Sequence, residues 1–207
     1  MTAAVRSAIT KFLTPADYVA AANSLGVSVA SIRAVAEVES RGDGFMDNGH
    51  PVILFERHVM HRQLREKFGR MRADALAKEH PDIVNPVLGG YGKESEQPKR
   101  LERAAAIDRE CALNSASWGK FQIMGYHWRP LGYATQQAFI NAMFRNEAGH
   151  LHAFCRFIQV SPDLHAALKA RDWAKVARLY NGPGYKANSY DTKLAAAYAK
   201  HTGTEAA

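Results

Sequence analysis

The sequence predicts a mostly α-helical α+β domain that carries one small β-hairpin. Apolar residues recur at helical spacing through most of the chain, and capping residues, glycines and prolines mark where the helical segments begin and end. A good strand signal occurs at one place, between the second and third helical segments. With 207 residues, such a domain buries enough surface to be stable without disulfides.

The first predicted helix spans residues 15–25. Thr14 before Pro15 is typical of a helix N-terminus, because a capping side chain is followed by proline at the first helical position. Gly26 stands where a C-terminal cap needs a left-handed residue. Local chemistry therefore defines both ends of this helix.

The second predicted helix begins after Ser28 or Ser31, since both residues suit an N-cap. Its apolar stripe contains Ile32 and Val35 at helical spacing. Glycines from Gly42 onward are expected to force the chain into a turn.

The hairpin is predicted at Asn48-Gly49, the dipeptide best suited to a type I′ turn, and the apolar residues 51–55 follow it. Beyond it, helical patterns cover 57–68, 98–113, a short piece at 119–124, 136–158, 162–171, 173–180 and 189–201. Residues 81–97 are rich in glycine and proline and are predicted as a long loop. No linker or repeat divides the chain, so residues 1–207 are expected to form one domain.

Charge and composition limit the partners. A formal net charge of +7 predicts an acidic partner, such as nucleic acid, an anionic membrane surface or a carboxylate-rich cell wall. In the densest basic stretch, 99–109, acidic residues alternate with the basic ones, which is typical of a solvated helix face rather than a nucleic-acid-binding stripe.

No apolar run approaches the ~20 residues of a membrane helix, and Arg6 and Lys11 are not followed by the apolar segment of a signal peptide. Cys111 and Cys155 are predicted to be buried thiols outside any disulfide framework.

Two glutamates near the end of the second helix have different predicted environments. Glu37 and Glu39 point about 200° apart around a helix. Glu37 lies four residues after Arg33 and is expected to form an exposed ion pair with it. Glu39 continues the apolar stripe at the helix C-terminus, where desolvation and the helix dipole both raise a carboxyl pKa. Glu39 is therefore a candidate general acid, unless the helix frays and its side chain reaches water.

Four segments in order resemble a known family. Glu39-Ser40 before a glycine-rich turn and a hairpin looks like the acid motif of the goose-type lysozyme and lytic transglycosylase superfamily. Residues 53–58 (ILFERH), 117–125 (SWGKFQIMG) and 177–185 (ARLYNGPGY) are similar to further motifs of the phage endolysin N-acetylmuramidases. The resemblance extends from about Ile32 to Leu194, and in this superfamily the second motif is a glycine turn that enters a short helix.

The resemblance implies a lysozyme-like fold and a function. The expected reaction is cleavage of the β-1,4 bond between N-acetylmuramic acid and N-acetylglucosamine in peptidoglycan, with Glu39 as the acid and no cofactor. Many members carry an N-terminal peptidoglycan-binding domain, for which the residues before the second helix are too few. Wall affinity is then expected to come from the cleft and the net positive charge. A phage lysis enzyme of this kind is expected to act as a monomer and to wait in the host cytoplasm until a holin opens the membrane.

The second carboxylate has several candidates. Glu56 stands at the far end of the hairpin strand, where it could activate a water on the opposite face of the sugar, as the base of an inverting hydrolase does. Alternatively, it forms an ion pair with Arg57 or Arg62. Asp43 and Asp47 are further candidates for the base, or else plain turn residues. An inverting pair requires carboxyl groups roughly 6.5 to 9.5 Å apart.

Polar and aromatic side chains in the two later motifs are candidates for sugar binding, because amide and phenol groups match hydroxyl and acetamido groups. They are Ser117, Gln122, Tyr180, Asn181 and Tyr185. Ser117 could instead cap a helix, and Trp118 either stacks on a sugar or packs in the core. We expect Glu39, Gln122 and Tyr180 to line one groove between the hairpin and the turn that contains Asn181.

Three other readings remain open. Histidine spacings at 58–61 and 147–152 are compatible with one helix face, but no second half of a metal site accompanies them, so no metal is predicted. A non-catalytic wall-binding module or a nucleic-acid binder would have no use for a buried Glu39. A lytic transglycosylase needs the acid but no base, because the sugar's own 6-hydroxyl attacks and leaves a 1,6-anhydro end.

Overall fold

A computed structural model describes residues 10–40 and 42–205, and it confirms a mostly α-helical fold with a small antiparallel sheet. The strands in these residues are β1 (Ile53–Phe55), β2 (Ala116–Trp118) and β3 (Ile123–Met124). The helices are α1 (Pro15–Leu25), α2 (Val29–Glu39), α3 (Arg57–Phe68), α4 (Arg70–Glu79), α5 (Gln97–Ile107), α6 (Arg109–Asn114), α7 (Gln136–Arg145), α8 (Glu147–Gln159), α9 (Pro162–Ala170), α10 (Trp173–Asn181) and α11 (Tyr190–Glu205). The expectation that no signal peptide occupies the N-terminus falls largely on residues 1–9, outside the described residues.

The predicted ends of the first helix are confirmed. The Thr14 hydroxyl accepts a hydrogen bond from the backbone N–H of Asp17, and the Asp17 carboxylate accepts one from the Thr14 N–H at 2.8 Å. Gly26 takes the left-handed conformation with φ of 63°. Ser28, rather than Ser31, caps α2, because its hydroxyl accepts the Ser31 N–H at 3.1 Å.

The chain forms two compact units, each with its own core. The first unit contains residues 10–40 and 145–205, and in it α11 packs along α2 while α1 packs against α8. Its fully buried side chains include Leu25, Ile32, Phe154, Ile158 and Leu194. The end of α2 and the whole of α10 therefore belong to the same packed body.

The second unit, residues 42–144, contains the sheet and α3 to α7. The strand order is β1-β2-β3 and both pairs are antiparallel. Ile53 pairs with Trp118 and Leu54 pairs with Ser117. Because side chains alternate along a strand, Leu54 and Ser117 share one face, and the buried Ile53 and Trp118 share the other.

The sheet differs from the sequence prediction in its partners. The hairpin at Asn48-Gly49 is present as a narrow turn with one bridge between Phe45 and Pro51. The following strand, however, pairs with β2, and the predicted short helix at 119–124 is wrong: these residues form a turn and β3. Gly119 and Gln122 adopt positive φ angles of 68° and 48°, which reverse the chain instead of continuing a helix.

Two predicted long helices are each divided by a capping side chain. The Asp108 carboxylate accepts the N–H of Cys111 at 2.8 Å, and the Asn146 side chain accepts the N–H of Gly149 at 3.0 Å. Each bond starts a new helix inside a continuous apolar pattern. The helix α4 lies in a segment where no helix was predicted.

Both cysteines are buried free thiols, as predicted. Burial raises the pKa of Cys111 to about 12 and that of Cys155 to about 11, so neither thiol ionises at neutral pH.

Among the described residues, no single helix is long and apolar enough to cross a bilayer. The helices α1 and α2 meet these two criteria only when they are taken together, and they are bent by 110° relative to each other.

Gly125 permits a close backbone contact in the second unit. A Cβ atom at this position would lie 1.9 Å from the carbonyl oxygen of Leu113. We expect Gly125→Ala to lower the free energy of unfolding by roughly 1 to 3 kcal/mol, because backbone has to move. Thermal unfolding measures this, with Gly203→Ala as the control, since a Cβ there meets nothing within 4 Å. An unchanged midpoint for Gly125→Ala would contradict the contact.

Candidate active site

Glu39 is the last residue of α2, and the helix remains intact up to it. Its half-buried carboxyl group accepts a hydrogen bond at Oε1 from the Nδ2 group of Asn181 at 2.8 Å. Burial raises the pKa of Glu39, and the bond from Asn181 opposes this shift. The raised pKa is in the direction expected from a position on the apolar stripe.

Glu37 has the opposite environment. Its exposed carboxylate pairs with Lys200 Nζ at 2.9 Å and with His201 Nε2 at 2.8 Å. Hydrogen bonding to Lys200 lowers the pKa of Glu37. The expected ion pair with Arg33 is wrong, because α11 packs along α2 and supplies both partners, while the Arg33 guanidinium lies over the ring of Tyr18.

Tyr180 also lies close to Glu39. Its ring packs edge-on against Phe154 and Phe157, with centroid distances of 5.5 and 5.8 Å. Desolvation, together with the neighbouring Glu39 charge, raises the pKa of Tyr180 well above its ordinary value, so its phenol stays neutral. The first unit thus brings together three predicted site residues, namely Glu39, Tyr180 and Asn181.

Tyr185, the fourth predicted site residue of this unit, is less accessible. It lies in the short 3-10 segment Pro183–Asn188, and only 8% of its surface is exposed. Little of its ring is therefore available for stacking in this conformation.

Glu56 lies immediately after β1 in the second unit. Its backbone N–H donates to the Ser115 carbonyl at 2.8 Å, and its carboxylate is largely buried. The alternative ion pairs with Arg57 or Arg62 are wrong: Arg57 donates to the Pro81 carbonyl, and Arg62 lies over a tyrosine ring. This position agrees with the sequence, which places Glu56 directly after the strand predicted at residues 51–55.

The partners of the Glu56 carboxylate are His58, Tyr91 and Arg100. His58 Nδ1 lies 3.1 Å from Glu56 Oε2, without the alignment of a hydrogen bond. Burial raises the pKa of Glu56, and the His58 charge, the polar Tyr91 phenol and the Arg100 charge oppose this. Tyr91 is not among the residues predicted from the sequence, although the glycines that flank it mark an unusual backbone there.

Ser117 and Gln122 form one hydrogen-bonded pair. The Ser117 hydroxyl donates to Gln122 Oε1 at 2.7 Å, and Gln122 Nε2 donates to the Gly119 carbonyl at 2.8 Å. These bonds hold Gln122 in a left-handed backbone conformation that costs a non-glycine residue roughly 1 kcal/mol or more. By strand alternation, Ser117 and Glu56 lie towards the same face of the sheet.

The remaining candidates are Trp118, Asp43 and Asp47. Trp118 is 2% exposed, and its indole N–H donates to the Leu113 carbonyl at 3.2 Å, so it packs in the core. Asp43 and Asp47 are exposed residues of the turn region. A cavity of about 660 Å³ opens on the Ile53–Trp118 face of the sheet. Trp118 lines it, but none of Glu39, Glu56, Ser117, Gln122, Tyr180, Asn181 and Tyr185 does.

The histidine spacings do not converge on a metal site in the described residues. His61 pairs with Asp74 at 2.9 Å, whereas His58 faces Glu56. The buried Glu147 accepts the backbone N–H of Leu13 at 3.2 Å. Across residues 10–40 and 42–205, no three histidine, cysteine or acidic side chains are grouped closely enough to hold an ion.

The mostly helical fold with a small three-stranded antiparallel sheet is that of a lysozyme-like protein. The sequence profile of the Muramidase family, described as N-acetylmuramidase, matches residues 28–202, and the chain belongs to this family. It is therefore a peptidoglycan-degrading enzyme.

A solved structure is also similar. The crystal structure of Burkholderia AP3 phage endolysin is 45% identical to this chain, with a TM-score of 0.89. The match covers 96% of this chain and 74% of that one. No curated protein matches the chain.

Proposed function

We propose that this enzyme hydrolyses the β-1,4 bond between N-acetylmuramic acid and N-acetylglucosamine, with Glu39 as the general acid. The environment of Glu39 carries the proposal. Burial favours the protonated carboxyl, and Asn181 donates to Oε1, which leaves Oε2 to carry the proton. A carboxyl group prepared in this way can protonate the leaving oxygen of a glycosidic bond.

We further propose Glu56 as the base that activates water in an inverting reaction. Its carboxylate is flanked by groups that favour the ionised form, the His58 ring, the Tyr91 phenol and the Arg100 guanidinium. Glu39 has one neighbour that favours its ionised form, the hydrogen-bond donor Asn181. Burial raises the pKa of both carboxyl groups, so the assignment of Glu56 rests on these polar and charged neighbours.

The other predicted site residues take two roles in this proposal. Gln122 and Tyr180 contact the sugars, because an amide and a neutral phenol can hydrogen-bond hydroxyl and acetamido groups. Ser117 and Asn181 hold Gln122 and Glu39 in place, as their hydrogen bonds support. Tyr185 contributes the small exposed part of its ring to sugar binding.

The biological role that fits best is that of an endolysin that lyses the host cell. The similar solved structure is a phage endolysin, and the net charge of +7 suits a carboxylate-rich wall. In this role the enzyme acts as a monomer on glycan strands, after a holin releases it from the host cytoplasm.

Mass spectrometry of muropeptides from purified peptidoglycan tests the reaction. In ¹⁸O-labelled water, a hydrolase places the label on a new N-acetylmuramic acid reducing end. Predominant 1,6-anhydro ends would instead identify a lytic transglycosylase, and release of no fragments would identify a binding module.

Removal of the Asn181 side chain should change the pH dependence. Its hydrogen bond lowers the pKa of Glu39, so Asn181→Ala raises that pKa further and keeps the acid protonated to higher pH. We expect the alkaline limb of the pH profile to move to higher pH, and kcat to fall roughly 10-fold as the acid loses its orientation. The exposed Asn188→Ala is the control, and an unmoved limb would contradict the role of Asn181.

A further inference from the structure

A polar pocket of about 240 Å³ lies in the first unit. Its lining includes Lys169 and Arg171, which carry positive charge, and Ser28, Ser31 and Tyr198, which carry hydroxyl groups. Among the described residues, no acidic side chain lines it. A surface of hydrogen-bond donors with an excess of positive charge suits an anionic ligand.

The two cations of this pocket have no acidic partner in the described part of the chain. Elsewhere in the same unit, Lys200 pairs with Glu37 at 2.9 Å. The amine of Lys169 lies instead beside Gly26, with Nζ 3.6 Å from the place that a Cβ atom would occupy. The charge of the pocket is therefore available to a ligand.

Arg171 is held at the pocket in an unfavourable backbone conformation. It follows α9 with a φ angle of 58°, in the left-handed region where glycine or asparagine usually ends a helix. Its Nη1 group donates to the phenol oxygen of Tyr198 on α11 at 3.1 Å. A guanidinium has five N–H donors in a planar fork, so this bond leaves others for a carboxylate. Strained backbone of this kind is concentrated at functional sites.

The two serine hydroxyls of the pocket are held together. Ser31 is 2% exposed, and its Oγ atom lies 2.9 Å from Oγ of Ser28. The Ser28 hydroxyl also accepts the backbone N–H of Ser31 at 3.1 Å. The bond between the hydroxyls uses one of their two protons, so the other can be donated to a ligand.

The pocket and Glu39 lie at opposite ends of α2. This helix has 11 residues, which corresponds to a length of roughly 16 Å. A group bound in the pocket is therefore too far from Glu39 to be the reacting sugar, whereas about five residues of extended peptide span this distance. Peptidoglycan carries short peptide stems with free carboxylates on its glycan strands, so the substrate itself supplies an anion of suitable reach.

We propose that this pocket binds a carboxylate of a peptide stem of peptidoglycan, with Lys169 and Arg171 supplying the charge. The inference rests on the proposed function only for its substrate, and it is independent of the roles of Glu39 and Glu56. A stem held here adds a second attachment to the same substrate molecule. Affinity for the intact wall then exceeds that of the sugar contacts alone.

The double variant Lys169→Gln/Arg171→Asn tests the pocket. It removes both charges, and asparagine tolerates the left-handed conformation, so the thermal midpoint should not fall. We expect the apparent KM for intact sacculi to rise roughly 10-fold with kcat unchanged, because charge-assisted hydrogen bonds to the stem are lost while the reacting groups remain. Arg72→Gln/Lys78→Gln is the matched control, since it removes the same charge from exposed positions of α4 and should keep the wild-type KM.

Peptide stems released from sacculi by an amidase identify the ligand. Titrated into ¹⁵N-labelled wild type, they should shift the backbone amide signals of Gly26 and Ser31, and in the double variant these signals should stay in place. Inorganic phosphate is titrated in parallel as the alternative anion. Shifts with phosphate and none with the stems would overturn the assignment of the ligand.

An unchanged KM in the double variant, with the same shifts as the wild type, would show that the pocket binds no stem. Release of muropeptides by both proteins would then leave the proposed function standing. Failure of the wild type to release muropeptides would instead overturn the proposed function, whatever the stems bind.

Discussion

Replacement of Glu39 by glutamine is expected to abolish peptidoglycan cleavage. Glutamine preserves the shape and the oxygen that accepts the Asn181 hydrogen bond, but it has no proton to give to the leaving oxygen. Loss of a general acid typically costs 10²-fold to roughly 10⁴-fold in rate. Turbidity of permeabilised Gram-negative cells and release of soluble muropeptides measure the effect.

The same substitution should leave the protein equally stable or more stable at neutral pH. The folded state raises the pKa of Glu39, so the ionised carboxylate opposes folding at any pH above its ordinary pKa. An uncharged amide removes this cost. A variant that is inactive and fully folded separates a catalytic role from a structural one.

Glu37→Gln is the matched control on the same helix. Its exposed carboxylate pairs with Lys200 and His201, and exposed pairs contribute little to stability. Activity should therefore stay near that of the wild type. An inactive Glu37→Gln beside an active Glu39→Gln would show that the wrong face of α2 was assigned to catalysis.

Features set by local chemistry could be predicted from the sequence. The Thr14 cap, the Gly26 cap and the different exposure of Glu37 and Glu39 depend on residues within one or two helical turns. Helical periodicity alone therefore pointed to the carboxyl group whose pKa is raised.

Features that depend on pairing between distant segments could not be predicted. The ion pair between Glu37 and Lys200 joins residues 163 positions apart. The strands β2 and β3 contain three and two residues, too few to show an alternating pattern. The buried Gln97 accepts the backbone N–H of Phe55 and donates to the Tyr91 carbonyl, and no local pattern indicates this link between distant segments.

The two carboxyl groups proposed for catalysis imply a bell-shaped pH profile. Glu56 must be ionised and Glu39 must be protonated, so activity should fall at low pH as Glu56 gains a proton and at high pH as Glu39 loses one. Burial raises the pKa of both carboxyl groups, so both limbs of the profile should lie at higher pH than they would for exposed carboxyl groups.

Replacement of Glu56 by glutamine is expected to lower the rate of hydrolysis by roughly 10²-fold to 10⁴-fold, because the amide of glutamine cannot take the proton of the attacking water. Glu66→Gln is the control, since this exposed carboxylate on α3 bonds only Gln63 among the described contacts. The products distinguish the mechanisms independently of the rate. In ¹⁸O-labelled water a base-dependent hydrolase gives labelled reducing ends, whereas a transglycosylase releases 1,6-anhydro sugars and does not need Glu56. Substantial activity in Glu56→Gln with anhydro products would therefore leave Glu39 acting alone and reduce Glu56 to a structural residue beside His58.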